Sequence, residues 1–285
     1  ELLFDEEPYT SHREFFNIYE VVAESQSSSY SSGSTIFEGF FGGGTLVGGN
    51  HDIVAGYASL AVPASRINEA LIIVIMNRNY YAGTCYMFYP VIEADYGTGA
   101  SISYFPLGTD DEMLGQIIRH EAGGHGFAKL FDEYSYIENG TIPAAAVAER
   151  KAMGDDWGWG KNIDFTSDTN LVKWRHFLND SRYKYEGLGV YQGGDTYPYG
   201  VWRSTNNSIM NDNTGGYNAP SREAIYYRIH KLAYGNSWTY NYESFVSWDS
   251  KNRSAKAMSI KKAQTSTVAP THPPIIVNRP LTNAK

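Results

Sequence analysis

Two histidines five positions apart, His120 and His125, sit in the run Arg119-His-Glu-Ala-Gly-Gly-His-Gly-Phe-Ala-Lys-Leu-Phe-Asp-Glu-Tyr134, and this spacing limits the local backbone more than any other feature of the chain. The run follows a sharply written helix start. Thr109-Asp-Asp-Glu112 reads as a capping box, in which the Thr109 hydroxyl accepts from the Glu112 N–H and the glutamate reaches back. Asp110 and Asp111 put negative charge where the helix dipole is positive. Met113, Leu114, Ile117 and Ile118 then recur at helical spacing, which predicts a helix over about 109–131. On a regular α-helix, side chains four apart differ by ~40° around the axis and side chains five apart by ~140°. Imidazoles at the wider angle cannot meet. A π-type bulge absorbs one extra residue and would return them to one face, and Gly123-Gly124 between them makes that distortion cheap. The helix is therefore expected to be irregular at the glycine pair. The alternative is a regular helix on which Glu121 and His125, four apart, form an ordinary hydrogen bond.

Two histidines flanking a glutamate are the donor set of helical zinc sites, where the imidazoles hold the metal and the glutamate is general base. The usual spacing there is four, and this chain has five. A working zinc site needs three protein ligands and an open position. Asp132 and Glu133, seven and eight residues past His125, are the nearest downstream carboxylates, with a solvated helix end as the plain alternative. Asn207-Ser-Ile-Met-Asn211 places Met210 in a turn after an extended stretch, where core packing is the ordinary role. Asp155-Asp156 with Asp164 and Asp168 match no calcium-loop spacing and read as a solvated acidic loop. His176 and His230 read as packed in aromatic-rich helices, and Cys85 as a small buried apolar residue.

The 285 residues, 42% hydrophobic and 19% charged, suffice for one large domain or two small ones. A formal charge of -8 without a basic stripe argues against nucleic acid as a partner. The longest apolar run, Leu71-Ile-Ile-Val-Ile-Met76, is strand-sized, so no transmembrane segment is expected. The single cysteine excludes an intramolecular disulfide and a cysteine-based zinc cluster. Phe40-Phe-Gly-Gly-Gly-Thr-Leu-Val-Gly-Gly49 lacks the Lys-Ser/Thr pair of a phosphate loop and reads as a turn or rim. Glu1 starts polar and acidic, so no signal peptide is read.

Strands are expected at 15–22, 86–94 and 101–105, with a buried one at 71–76 and a strand pair within 187–205. Helices are expected at 52–60, 171–178 and 221–234, a helical turn at 149–153, and loops at 25–34 and 155–160. The order predicts an α+β fold: one domain over 1–260 in two lobes, a mixed sheet packed on the active-site helix, and a loop-rich C-terminal lobe. Residues 261–285, with four prolines, read as an extended tail.

The run 120–134, with 207–212 and Asn218-Ala-Pro-Ser-Arg-Glu-Ala-Ile-Tyr226, resembles the immunoglobulin A peptidase family of bacterial zinc metallopeptidases, one branch of which shares the longer histidine spacing. Residues 71–77 and 172–178 also fit, so the likeness spans roughly residues 10–250. The resemblance implies a metzincin-like catalytic domain, secreted or displayed at the cell envelope, that cleaves protein or peptide substrates with zinc as cofactor. By position it makes His120 and His125 zinc ligands, Glu121 the general base and Met210 the Met-turn residue. Asp132 matches the acidic third-ligand position, with Glu133 as fallback. Metzincins often place an oxyanion-stabilising tyrosine two residues past the methionine. Asp212 stands there in this chain, which leaves Tyr217 and Tyr134 as candidate donors. The runner-up reading is a non-catalytic envelope protein that binds peptide or glycan through aromatic loops over a degenerate metal site. A zinc amidase acting on cell-wall peptides would share the chemistry. Oligomeric state is not legible.

Overall fold

The computed structural model describes residues 1–27, 30, 34–91, 99–108, 110–253 and 270–282. In chain order it holds a 3₁₀ segment (Thr10–Phe15), strands β1 (Phe40–Phe41) and β2 (Val47–Gly48), helix α1 (His51–Ala58), strands β3 (Leu71–Met76), β4 (Thr84–Phe88) and β5 (Ser101–Pro106), helix α2 (Asp111–Ile117) and a π-helix (Ile118–Phe127). There follow α3 (Ala144–Trp157), β6 (Ile163–Asp164), α4 (Arg175–Leu178), β7 (Tyr191–Gly194), β8 (Tyr197–Arg203), α5 (Ala219–Tyr234), α6 (Tyr242–Trp248) and β9 (Ile275–Val277). The mix of helices and sheets is the α+β class expected. The chain forms two compact units: Glu1–Leu3, Phe16–Phe127 and Thr271–Lys285 make the first, Phe4–Phe15 and Ala128–Pro270 the second. No helix of the described residues is long and apolar enough to cross a membrane.

The first unit is built on a four-stranded sheet in the order β3-β5-β4-β9, with β3 parallel to β5, β4 antiparallel to β5 and β9 parallel to β4. β4 and β5 are buried along their whole length. Their Tyr86, Phe88, Ile102 and Tyr104 pack with Val47, Val54, Val74, Met76 and Leu281 into one core. β3 is not the buried strand expected: it is an edge, with Ile73 37% and Ile75 53% exposed. A run of six apolar residues does not say whether both of its faces are covered. Residues 15–22 form no strand either, and Ile18 and Val22 are exposed. Strand propensity makes no ladder without a second backbone alongside, and no strand among the described residues pairs with this segment.

Two further segments depart from the sequence pattern. Ile275–Val277, in the stretch read as a tail, pairs with Tyr86–Phe88 of β4, and the His272 N–H donates to the Gly83 carbonyl at 3.0 Å. Three β-branched residues in a row are enough for an edge strand once a partner is present. Residues 261–269 of that stretch lie outside the described residues, as do 92–98 of the strand expected at 86–94, and 28–29 and 31–33 of the serine-rich loop. The glycine-rich segment is a turn, as read, between the paired β1 and β2.

The second unit carries a three-stranded antiparallel sheet, β6-β8-β7, and a core of Val172, Trp174, Phe177, Tyr183, Ala219, Tyr226, Phe245 and Val246. Helix α3 is far longer than the turn expected and takes in Asp155-Asp156, a pair expected in a loop, before ending at Trp157. Its Ala144-Ala-Ala-Val-Ala start shows no polar–apolar alternation, so periodicity could not reveal it. The helix read at 171–178 shrinks to α4, and α6 had no sequence signal that was used. Buried Arg222 on α5 ties the unit together through Asp249 at 2.7 Å and Glu186 at 3.0 Å.

Candidate metal centre

Helix α2 begins one residue later than the capping box predicts. Asp110 is the cap, its side chain accepting from the Met113 N–H at 2.8 Å, while Thr109 lies outside the described residues. The α pattern holds to Ile117 and then widens into ten residues of π-helix, not a single bulge at Gly123-Gly124. A π turn closes on the fifth residue, so positions five apart stack as positions four apart do on an α-helix. His120 and His125 accordingly meet, with Nε2 atoms 3.0 Å apart and ring planes at 78°. The undistorted helix that would have favoured the non-catalytic reading is not observed.

Widening a helix misaligns carbonyls with their usual donors, and these carbonyls are buried. Two serines of β5 answer this. Ser103 Oγ donates to the Glu121 carbonyl at 3.1 Å, and Ser101 Oγ to the Gly126 carbonyl at 2.9 Å. Both serines are buried and sit two apart, on one face of the strand. The signal was in the sequence, since Ser101-Ile-Ser places two hydroxyls on one face of an otherwise apolar strand. It went unused.

Glu121, fully buried between the histidines in sequence, is pressed from below by Gly83. A Cβ at residue 83 would stand 2.9 Å from Glu121 Cγ and 3.1 Å from its Oε1, and 3.0 Å from Ile117 Cγ2. The glycine cannot retreat, because its N–H donates to the Thr45 carbonyl and its own carbonyl accepts from His272. Gly83→Ala is therefore expected to push the Glu121 carboxylate out of place, with metal content unchanged. If Glu121 is the base, turnover should fall by about 10²-fold, the usual effect of a displacement near 1 Å. Equal turnover in the purified variant would show that the Glu121 carboxylate needs no fixed position.

Past the π-helix the chain turns at Lys129, whose φ of 56° is the left-handed conformation usually given to glycine at a helix end. The helix thus stops short of residue 131. The next residues are held individually. Asn162 brackets Phe131, accepting from its N–H at 3.1 Å and donating to its carbonyl at 2.7 Å. The Asp132 carbonyl accepts from the Asp195 N–H at 2.7 Å, at a hairpin tip where Asp195 and Thr196 both have positive φ. The Glu133 N–H donates to the Met210 carbonyl at 2.7 Å.

The two adjacent carboxylates have different surroundings. Glu133 Oε1 accepts from Asn162 Nδ2 and Asn218 Nδ2, both at 3.0 Å, and Oε2 from Ser208 Oγ at 2.8 Å and Asn218 Nδ2 at 3.1 Å. Burial pushes its carboxyl up from the ordinary carboxylate range, against the pull of those donors. Both Glu133 oxygens are thus engaged by protein donors. His120, His125 and Asp132 are each buried, and each carries a ligand atom that a metal ion could take. Met210 is buried in a tight turn closed by Asn211 and Asp212 N–H groups on the Ser208 carbonyl.

Tyr217 packs edge-on against Tyr9, and Tyr134 lies beside Tyr136. The remaining histidines serve structure: His176 pairs with Glu223 at 3.0 Å, and His230 stacks on Trp238. Asp164 accepts from the backbone N–H groups of Phe165 and Lys173 and belongs to no acidic cluster able to bind calcium among the described residues. The protein-family model described as IgA Peptidase M64 matches residues 1–183, a span that contains the π-helix, Asp132 and Glu133 and stops before Met210. No curated protein matches the chain.

Proposed function

The chain belongs to the IgA peptidase M64 family of zinc metallopeptidases, and on that premise we propose that it is a zinc-dependent endopeptidase with Glu121 as general base. The observation that carries the reading is the 3.0 Å approach of His120 Nε2 to His125 Nε2. Imidazole nitrogens that share a tetrahedral zinc at bonds of ~2.0–2.1 Å stand about 3.3–3.4 Å apart, so the pair fits the ion closely. Asp132 completes a two-histidine, one-carboxylate donor set, which leaves a tetrahedral ion one open position.

Bound zinc would supply an acidified water and polarise the scissile carbonyl. Glu121 takes the proton of the attacking water on a carboxylate oxygen and returns it to the leaving amine, a task worth typically 10²–10⁴-fold. The Ser103 hydroxyl holds the Glu121 backbone carbonyl, and the missing Cβ of Gly83 leaves room for the carboxylate. Tyr134 and Tyr217 are the candidate donors to the developing oxyanion. The Met210 turn, joined to Glu133 by a backbone hydrogen bond, supports a metzincin-like arrangement of the centre. Secretion or display at the cell envelope goes with the family resemblance.

The purified protein is expected to hold close to one zinc per chain and to cut an unfolded protein substrate in a chelator-sensitive manner. Metal analysis that finds no zinc after reconstitution removes the proposal. Zinc retention without cleavage of any of a panel of unfolded proteins would move the reading to the non-catalytic alternative.

A further inference from the structure

We propose that Glu133 is a positioning residue that sets the third metal ligand by locking the backbone on either side of Asp132 to the Met210 turn and to the start of α5. The proposal rests on the zinc reading above and adds a residue that touches neither metal nor substrate. Four donor contacts converge on its two oxygens, from Asn162, Ser208 and Asn218. Each of those partners has a second duty. Asn162 brackets the Phe131 peptide, Ser208 Oγ accepts from the Met210 N–H at 3.2 Å, and Asn218 caps α5 by accepting from the Ser221 N–H at 3.1 Å. Glu133's own N–H holds the Met210 carbonyl, so side chain and backbone bind the same turn.

This arrangement needs an acceptor at both ends of the side chain, because every neighbour is a donor. A glutamine would turn its NH₂ against an asparagine Nδ2, which can only donate, or force the Ser208 hydroxyl to accept where it now donates, and either way the set of contacts changes. The backbone at Asp132 is held from both sides, by the bonds to residues 131 and 133 and by Asp195 on its own carbonyl. A shift at Glu133 therefore passes directly into the direction of the Asp132 carboxylate. Outer-shell partners of this kind typically set metal affinity within 10–100-fold.

The test is zinc affinity, read by competition with a chromogenic chelator on the full chain. Glu133→Gln is expected to weaken zinc binding by about 10–100-fold and to lower kcat more than it raises KM. Ser208→Ala, which removes one donor and is the milder change should Glu133→Gln not fold, should weaken zinc in the same direction. Asp249→Asn is the control for a merely structural role. It damages the buried Arg222 network in the same unit and should lower Tm with zinc affinity unchanged. A folded Glu133→Gln with wild-type zinc affinity overturns the inference, as does an equal loss of affinity in Asp249→Asn. If Ser208→Ala binds zinc as wild type does while Glu133→Gln fails to fold, the inference is likewise overturned. Wild-type protein that binds no zinc fails the zinc reading itself, which separates the two outcomes.

Discussion

Glu121→Gln is expected to hold zinc at the wild-type stoichiometry and to cleave peptide bonds about 10²–10⁴-fold more slowly. The amide keeps the shape of the carboxylate, so the close contact with Gly83 survives, and the Ser103 hydrogen bond goes to the backbone carbonyl, which the substitution does not touch. The group that changes is the proton acceptor. The loss should appear in kcat with little movement of KM, since a base acts in the transition state and contributes little to ground-state binding. Steady-state kinetics beside metal analysis of the same preparation decide it. Wild-type turnover in the variant would reassign the base to another group.

The second large effect comes from breaking the imidazole pair. His125→Ala removes one of the two imidazole nitrogens that meet, and with it one of the three donors proposed for the ion. Stoichiometric zinc is expected to be lost, and all zinc-dependent cleavage with it. Ligand binding stabilises the folded state by mass action, about 4 kcal/mol at a free concentration near 1,000 times Kd. For a chain of this size that corresponds to roughly 10 °C in Tm. Wild-type protein should therefore show a zinc-dependent rise in Tm that the variant lacks. Comparing the metal-free forms separates this from the loss of packing when a buried ring is removed. A variant that keeps one tightly held zinc and the full thermal shift would place the metal elsewhere in the protein.

Legibility in the sequence divides by range. Helix α1, strand β5, the α5 helix and the start of α2 were readable because caps, prolines and periodicity act within a few residues of where they stand. Strand assignment failed at 15–22, where no strand among the described residues pairs with the segment, and at Ile275–Val277, where the partner lies far along the chain. Helix α3 was underestimated because alanine-rich sequence favours a helix without marking which face is buried. The length of the π-helix was likewise out of reach. Gly123-Gly124 allows a widened turn, but ten residues of it are sustained with the help of hydroxyls on Ser101 and Ser103, about twenty positions upstream.

By itself, the sequence determined the donor inventory and one geometric requirement. Histidines five apart can share an ion only on a turn wider than an α-turn, because the angle per residue is set by backbone hydrogen bonding and owes nothing to the rest of the fold. Choosing between Asp132 and Glu133 was beyond it. Neighbouring residues in an extended segment face opposite ways, and the direction each faces is fixed only when something is packed on either side. What tertiary structure supplies is the company of Glu133: Asn162, Ser208 and Asn218 come onto it from separate stretches of chain that no local pattern could have assembled.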